Sequence, residues 1–229
     1  MDWIASHPQL IFYILLLTAL LLTRIPVLGK YFRSVNTLVH EAGHAFVTLL
    51  LSGEVIAVNL FADTSGTTVT KAKSKFAQAI IALAGYPVSA LMGWLCIFLL
   101  FHGYYLYILF ILTSIALIIM ILSLRNIYGL FWAGTFVVLN LLMIYFNNKT
   151  LIYTFAAFYS VIIFTDAIIS SFVLLVLSLK QSKKAGDATN LQKITKVPSA
   201  IWALLMLAFT LFISWLSVIN YFPSIKNLI

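Results

Sequence analysis

The stretch VNTLVHEAGHAFVTLL carries His40, Glu41 and His44 in the order H-E-x-x-H. On a helix, residues four apart share one face, about 6 Å from each other. Two imidazoles at that spacing can reach one tetrahedral metal ion. Glu41 lies beside the first histidine, about 100° around the helix. There it can take a proton from a water on the metal without binding the metal itself. Zinc lowers the pKa of such a water toward about 7, so the expected product is a hydroxide aimed at a carbonyl carbon. Gly43 keeps one helix surface thin for a substrate strand or another helix. Shuffling this composition would produce the pattern in roughly one chain in 2000. The competing structural reading is a polar cluster that bridges helices.

A tetrahedral catalytic site needs a third protein ligand and one open position. The acidic residues are Asp2, Glu41, Glu54, Asp63, Asp166 and Asp187. Asp2, Glu54, Asp63 and Asp187 fall at a terminus or in gaps between apolar runs. Apart from Glu41, only Asp166 sits inside such a run, FYSVIIFTDAIISSFVLL. Counting along a helix puts it about 20 Å deep, against about 8–14 Å for the histidines. Those depths agree if the long run tilts. A carboxylate so placed is a functional hypothesis by default, and Asp166 is the expected third ligand. The alternatives are a protonated Asp bonded to another helix, or a partner for Arg125.

These residues need a membrane scaffold to hold them. The 229-residue chain is 63% apolar and only 9% charged, too few charges to coat a water-facing surface. An ordinary soluble domain, a disordered tail and a fibrous repeat are all excluded. The net charge of +8 sits mostly in short gaps between apolar runs, which suits lipid head groups better than nucleic acid. The single cysteine, Cys96, excludes an intrachain disulfide and reads as core packing. MDWIASHPQ carries no Lys or Arg, unlike a cleavable signal, so the first run is expected to be a permanent span.

The expected fold is an all-α polytopic membrane protein with about seven spans, near 9–23, 35–51, 77–101, 104–124, 127–146, 151–179 and 198–222. One integral-membrane domain over 1–229 is expected. Within it the metal helix covers about 34–51 and the Asp-bearing helix about 151–179. Between the second and third runs, GEVIAVNLFADTSGTTVT alternates β-branched residues around a turn at Asp63, Ser65 and Gly66. That predicts a membrane-associated β-hairpin over about 53–70. Its edges must lie at the interface or pack against protein. Residues 180–197 read as a basic loop, in which Asp187 could cap a short helix. A cytoplasmic N-terminus puts the clusters around Lys71–Lys75 and Lys180–Lys196 inside and leaves Arg24, Lys30 and Arg33 outside.

Other polar residues carry weaker expectations. Asn126 and Asn140 could hydrogen-bond a substrate backbone or an oxyanion, or simply tie helices together. Arg125 reads as a snorkelling helix-end residue. His102 and His7 read as solvated. Gly85 and Pro87 suggest a break in the third run, to admit a substrate or to kink around neighbours. Trp3, Tyr104, Tyr105 and Tyr221 read as interfacial belts.

Taken together, the motifs resemble the site-2 protease family of intramembrane zinc metallopeptidases, in particular its small branch without a PDZ domain. The resemblance covers most of residues 34–215. HEAGHAF with the following SGEV resembles the zinc helix and the turn into the β segment, and SGTTVT is similar to the glycine-threonine part of that segment. AGYPVSALMG resembles the small-residue third-helix motif, and RNIYGL the Arg-Asn-x-x-Gly element. TDAIISS is similar to the segment that supplies the distal Asp, although Thr165-Asp166-Ala167 stands where better-known members carry Asn-Pro-Asp-Gly or Leu-Asp-Gly. GDATNLQKITKVPSAIW resembles the stretch leading into the last span.

The resemblance implies a zinc endopeptidase of a bacterial cell membrane, with His40, His44 and Asp166 as ligands and Glu41 as base. Its partners would be a membrane-protein substrate segment and the lipid bilayer, with no nucleic acid; the oligomeric state is left open. A helical substrate hides its carbonyls, so it is expected to unwind and to pair with an edge of residues 55–70. Two other readings use the same residues: a membrane scaffold that keeps the metal without turnover, and a small transporter.

Overall fold

The computed structural model describes residues 8–23 and 25–222; Asp2, Trp3, His7 and Arg24 lie outside the described residues. Uncharged runs rich in Leu and Ile become helices, because in apolar surroundings a segment must satisfy its own backbone polar groups. The chain forms α1 (Pro8–Leu22), α2 (Leu28–Leu50), β1 (Glu54–Leu60), β2 (Gly66–Lys71), α3 (Lys75–Phe101), α4 (Tyr105–Leu122), α5 (Ile127–Phe146), α6 (Lys149–Lys180), α7 (Gly186–Thr195) and α8 (Ser199–Tyr221).

Polar residues mark the helix ends. The Ser74 hydroxyl accepts from the Ala77 N–H at 3.1 Å and starts α3. Asn148 Oδ1 accepts from the N–H groups of Thr150 and Leu151 and starts α6. Pro198 stands immediately before α8, where its fixed φ suits a helix start.

Five of the seven expected spans are helices long and apolar enough to cross a membrane: α3, α4, α5, α6 and α8. The other two runs, α1 and α2, fall short of that measure for different reasons. The 15 described residues of α1 rise about 22 Å. Helix α2 is long enough, at 23 residues, but too polar. It buries Ser34, Asn36, Glu41, His44 and Thr48, and it exposes Phe46, Leu49 and Leu50. A helix whose polar face turns inward is built to serve the interior of a bundle, not to span alone.

Helices α3 and α6 form the centre of the bundle, and small residues let them approach. A Cβ on Gly93 of α3 would lie 3.1 Å from the Phe164 backbone of α6. One on Gly43 of α2 would lie 2.8 Å from the Val88 side chain. Close contact through small residues is the usual source of helix association in membranes. Helix α3 runs unbroken through Gly85 and Pro87, so the expected break does not occur.

The hairpin pairs Val55 with Thr70 and Leu60 with Gly66, with a bulge between Val55 and Ala57. Asp63 Oδ1 closes its turn by accepting from the Ser65 N–H at 3.0 Å and the Ser65 hydroxyl at 2.6 Å. The outer edge of β1 is covered by the α4–α5 connection. There the Val58 N–H donates to the Ser123 carbonyl at 2.7 Å, and the Arg125 N–H donates to the Val58 carbonyl at 3.1 Å. Asn126 completes the cover with both ends of its amide on Leu60. The edge problem posed by a hairpin among apolar helices is thus solved on the β1 side by protein.

Candidate metal centre

Helix periodicity puts His40 and His44 on the inward face of α2, and their rings meet edge to face with centroids 4.8 Å apart. The acid that joins them is Asp187, not Asp166. Asp187 Oδ2 lies 3.1 Å from His40 Nε2 and 3.2 Å from His44 Nε2, and the two Nε2 atoms are 3.1 Å apart. Among the described residues this is the one group of three or more His, Cys, Asp or Glu side chains whose donor atoms converge for a metal. Burial disfavours a charge on Asp187, but the imidazoles of His44 and His40 outweigh it and hold its carboxyl well below the usual carboxylate range.

Three features of this triangle suit a zinc ion. Tetrahedral ligation at about 2 Å separates ligand atoms by about 3.3 Å, close to the spacing of these donors. The His44 Nδ1 lies 2.7 Å from the Ile81 carbonyl of α3. A carbonyl only accepts, so Nδ1 carries a proton and Nε2 is the nitrogen left to face the centre, where its lone pair would serve a metal. The third feature is a space kept clear by glycine: a Cβ on Gly85 would sit 2.4 Å from His40 Nε2 and 2.6 Å from His44 Nε2. Any larger residue would fill the volume that faces both lone pairs. Two imidazoles and one carboxylate form a donor set that zinc accepts readily.

Asp187 reaches the histidines because residues 180–197 are not a plain loop. After α6 a short 3₁₀ turn (Ser182–Lys184) leads into α7, which folds back against α3, α6 and α8. Ala185, Ala188 and Leu191 are buried there beside Leu174 and Met206. Gly186 has φ +45°, a conformation other residues rarely adopt, and it turns the chain immediately before Asp187. The Thr189 hydroxyl donates to the Ser182 carbonyl, and Gln192 Oε1 accepts from the Ser199 N–H. Asp187 lies in the first turn of α7 with its carboxylate on the histidines, so the capping role expected for it is not the one it has.

Glu41 is buried beside the centre, held by the hairpin. The Thr68 hydroxyl lies 2.6 Å from Glu41 Oε2, to which it donates. Gly66 makes room for the other oxygen, since a Cβ there would lie 2.5 Å from Glu41 Oε1. Gly66 and Thr68 of SGTTVT therefore seat the acid next to the histidines. All these groups open on one cavity of about 850 Å³, lined by β2 and by Tyr86, whose ring meets His40 edge-on at 4.6 Å.

Asp166 lines the same cavity but stands apart from the histidine cluster. Its Oδ1 accepts from Arg33 Nε at 2.8 Å, so the cation opposite it comes from α2. Arg125, the expected alternative partner, turns back to the carbonyls of Leu122 and Leu124. Asn126 holds Leu60, with Nδ2 donating to its carbonyl at 2.5 Å and Oδ1 accepting from its N–H at 3.1 Å; it does not line the cavity. Asn140 is fully buried in α5, also off the cavity, and among the described residues neither of its amide atoms has a hydrogen-bond partner. His102 is exposed, its Nδ1 within 2.8 Å of the Phe98 carbonyl.

Residues 13–217 match the protein family described as Peptidase M50B-like. Comparison with curated proteins and with solved structures gives no match. The match spans nearly the whole chain and agrees with the motifs around His40 and Gly85: this membrane protein belongs to the Peptidase M50B-like family of the site-2 protease group.

Proposed function

We propose that the chain is an intramembrane zinc endopeptidase that cuts peptide bonds of membrane-protein segments, and that His40, His44 and Asp187 hold its zinc. Asp187 takes the ligand role that the apolar setting of Asp166 had suggested. The observation that carries this reading is the convergence of three donor atoms, 3.1–3.2 Å apart, next to the buried carboxylate of Glu41.

When bound, zinc supplies Lewis-acid chemistry, lowering the pKa of a water toward about 7 and polarising a carbonyl oxygen. Glu41 accepts the proton of the attacking water and returns it to the leaving amine nitrogen. Thr68 keeps one Glu41 oxygen in place through both transfers. Asp187 and the Ile81 carbonyl orient the imidazoles, and Gly85 keeps their inner face open. The β1 edge is already covered, so an unwound substrate strand adds to the β2 edge, which lines the cavity.

Purified protein should contain about one zinc per chain and cleave a membrane-segment substrate, and a zinc chelator should stop the cleavage. A substrate segment with weaker local helix should be cut faster. Metal without any proteolysis would favour the scaffold reading. Absence of metal would leave the transporter.

A further inference from the structure

The cavity has a second charged station that the hydrolytic chemistry does not use. Arg33 and Asp166 pair across α2 and α6 at 2.8 Å. Asp166 is buried, whereas the Arg33 side chain is 31% exposed, and it lines the cavity. Charges among apolar spans are costly and rare unless they serve a ligand or pathway. One helical turn closer to the histidines, Asn36 lines the same wall, and among the described residues its buried Oδ1 has no hydrogen-bond partner. An orphaned acceptor at that position calls for an N–H donor, which an extended peptide backbone supplies.

Spacing relates this station to the reaction. Arg33 precedes His40 by two turns, about 10 Å along α2. An extended strand covers that distance in about three residues. The guanidinium has five N–H donors, and the bond to Asp166 engages the one on Nε. The planar fork allows a second carboxylate to be bound on its other edge.

We propose that Arg33, steadied by Asp166, is a specificity determinant that receives a substrate carboxylate about three residues from the scissile bond. Asn36 accepts a backbone N–H of the same strand. Arg33 touches substrate; Asp166 is a positioning residue. This inference rests on the peptidase reading for its register but not for the binding itself.

The test uses the full chain with zinc in detergent and a synthetic apolar peptide containing a helix-breaking pair. Glu, Gln or Lys is placed singly at two to four residues on either side of the cut. At one position Glu should raise kcat/KM about tenfold over Gln, and Lys should lower it. Arg33→Gln should bring the Glu-to-Gln ratio to about one. Arg33→Lys, which keeps the charge but loses the fork, should leave an intermediate ratio. Asp166→Asn should lower the ratio while zinc content stays at that of the parent.

A second arm measures binding of the same peptides to the Glu41→Gln chain by fluorescence anisotropy, so a result is obtained even without turnover. Cleavage with no preference for Glu at any position, or an unchanged ratio in the Arg33 variants, overturns the proposal. An ion pair that merely ties α2 to α6 would change stability and leave the ratio alone. No cleavage combined with Arg33-dependent preference in binding would sink the peptidase reading and keep this one.

Discussion

Two aspartates line one cavity and are handled in opposite ways. Asp166 is carried by the middle of the 32-residue helix α6, the longest described helix of the bundle, and it faces a guanidinium. Asp187 follows a lysine-rich turn on the ten-residue helix α7, and it faces two imidazoles. The acid that looks intramembrane has a permanently charged partner, and the acid that looks solvent-exposed has two imidazoles as partners. An arginine cannot give up its proton, so Arg33 and Asp166 form a fixed ion pair. Imidazoles, unlike a guanidinium, can give up their protons to a metal, which leaves Asp187 available to a cation. Depth along the chain does not decide what a carboxylate can bind; the group opposite it does.

The contrast makes unequal demands on the surrounding residues. Glu41 belongs wholly to the Asp187 side of the cavity. Glu41→Gln should lower kcat by a factor of at least about a hundred while the protein keeps its zinc, as elemental analysis and a cleavage assay would show. Full activity in that variant would remove the proposed base. Gly85→Ala puts a methyl carbon against both ring nitrogens, so zinc affinity should drop about tenfold or more by competition with a chelating dye. An unchanged affinity would mean that the space beside the imidazoles is not where the ion sits. Thr68→Val removes the hydrogen bond to Glu41 and should reduce kcat several-fold with zinc retained, while Thr68→Ser should restore much of it. Asn126→Ala leaves the N–H and carbonyl of Leu60 without partners and should cost about 1–3 kcal/mol in thermal stability, far from either aspartate. A loss of zinc in the Asn126 variant would tie the hairpin anchor to the metal site more directly than its contacts do.

Much of the architecture was legible in the residues themselves. His40 and His44 converge because four residues make one turn of helix, which the sequence states directly. The hairpin was visible from the alternation in VIAVNL and from the turn at Asp63. Its role was only half visible, because the contact of Thr68 with Glu41 depends on how β2 lies over α2. For Asn126 the sequence leaves a substrate amide and a structural tie both open, because its neighbours say nothing of Leu60, which lies 66 residues away. Asp187 does not stand out in the sequence because a gap rich in lysine reads as solvated. The signals that could have found it were Gly186, immediately before an acid, and the apolar set Ala185, Ala188 and Leu191, which gives α7 a face to bury. Arg33 reads as part of an outer loop because its partner among the apolar helices, Asp166, lies 133 residues further on.

The most direct test is zinc stoichiometry in three full-length proteins: the parent, Asp187→Asn and Asp166→Asn. The account predicts about one zinc per chain in the parent and in Asp166→Asn, and a loss of tightly held zinc in Asp187→Asn. Zinc retained by Asp187→Asn and lost from Asp166→Asn would contradict it.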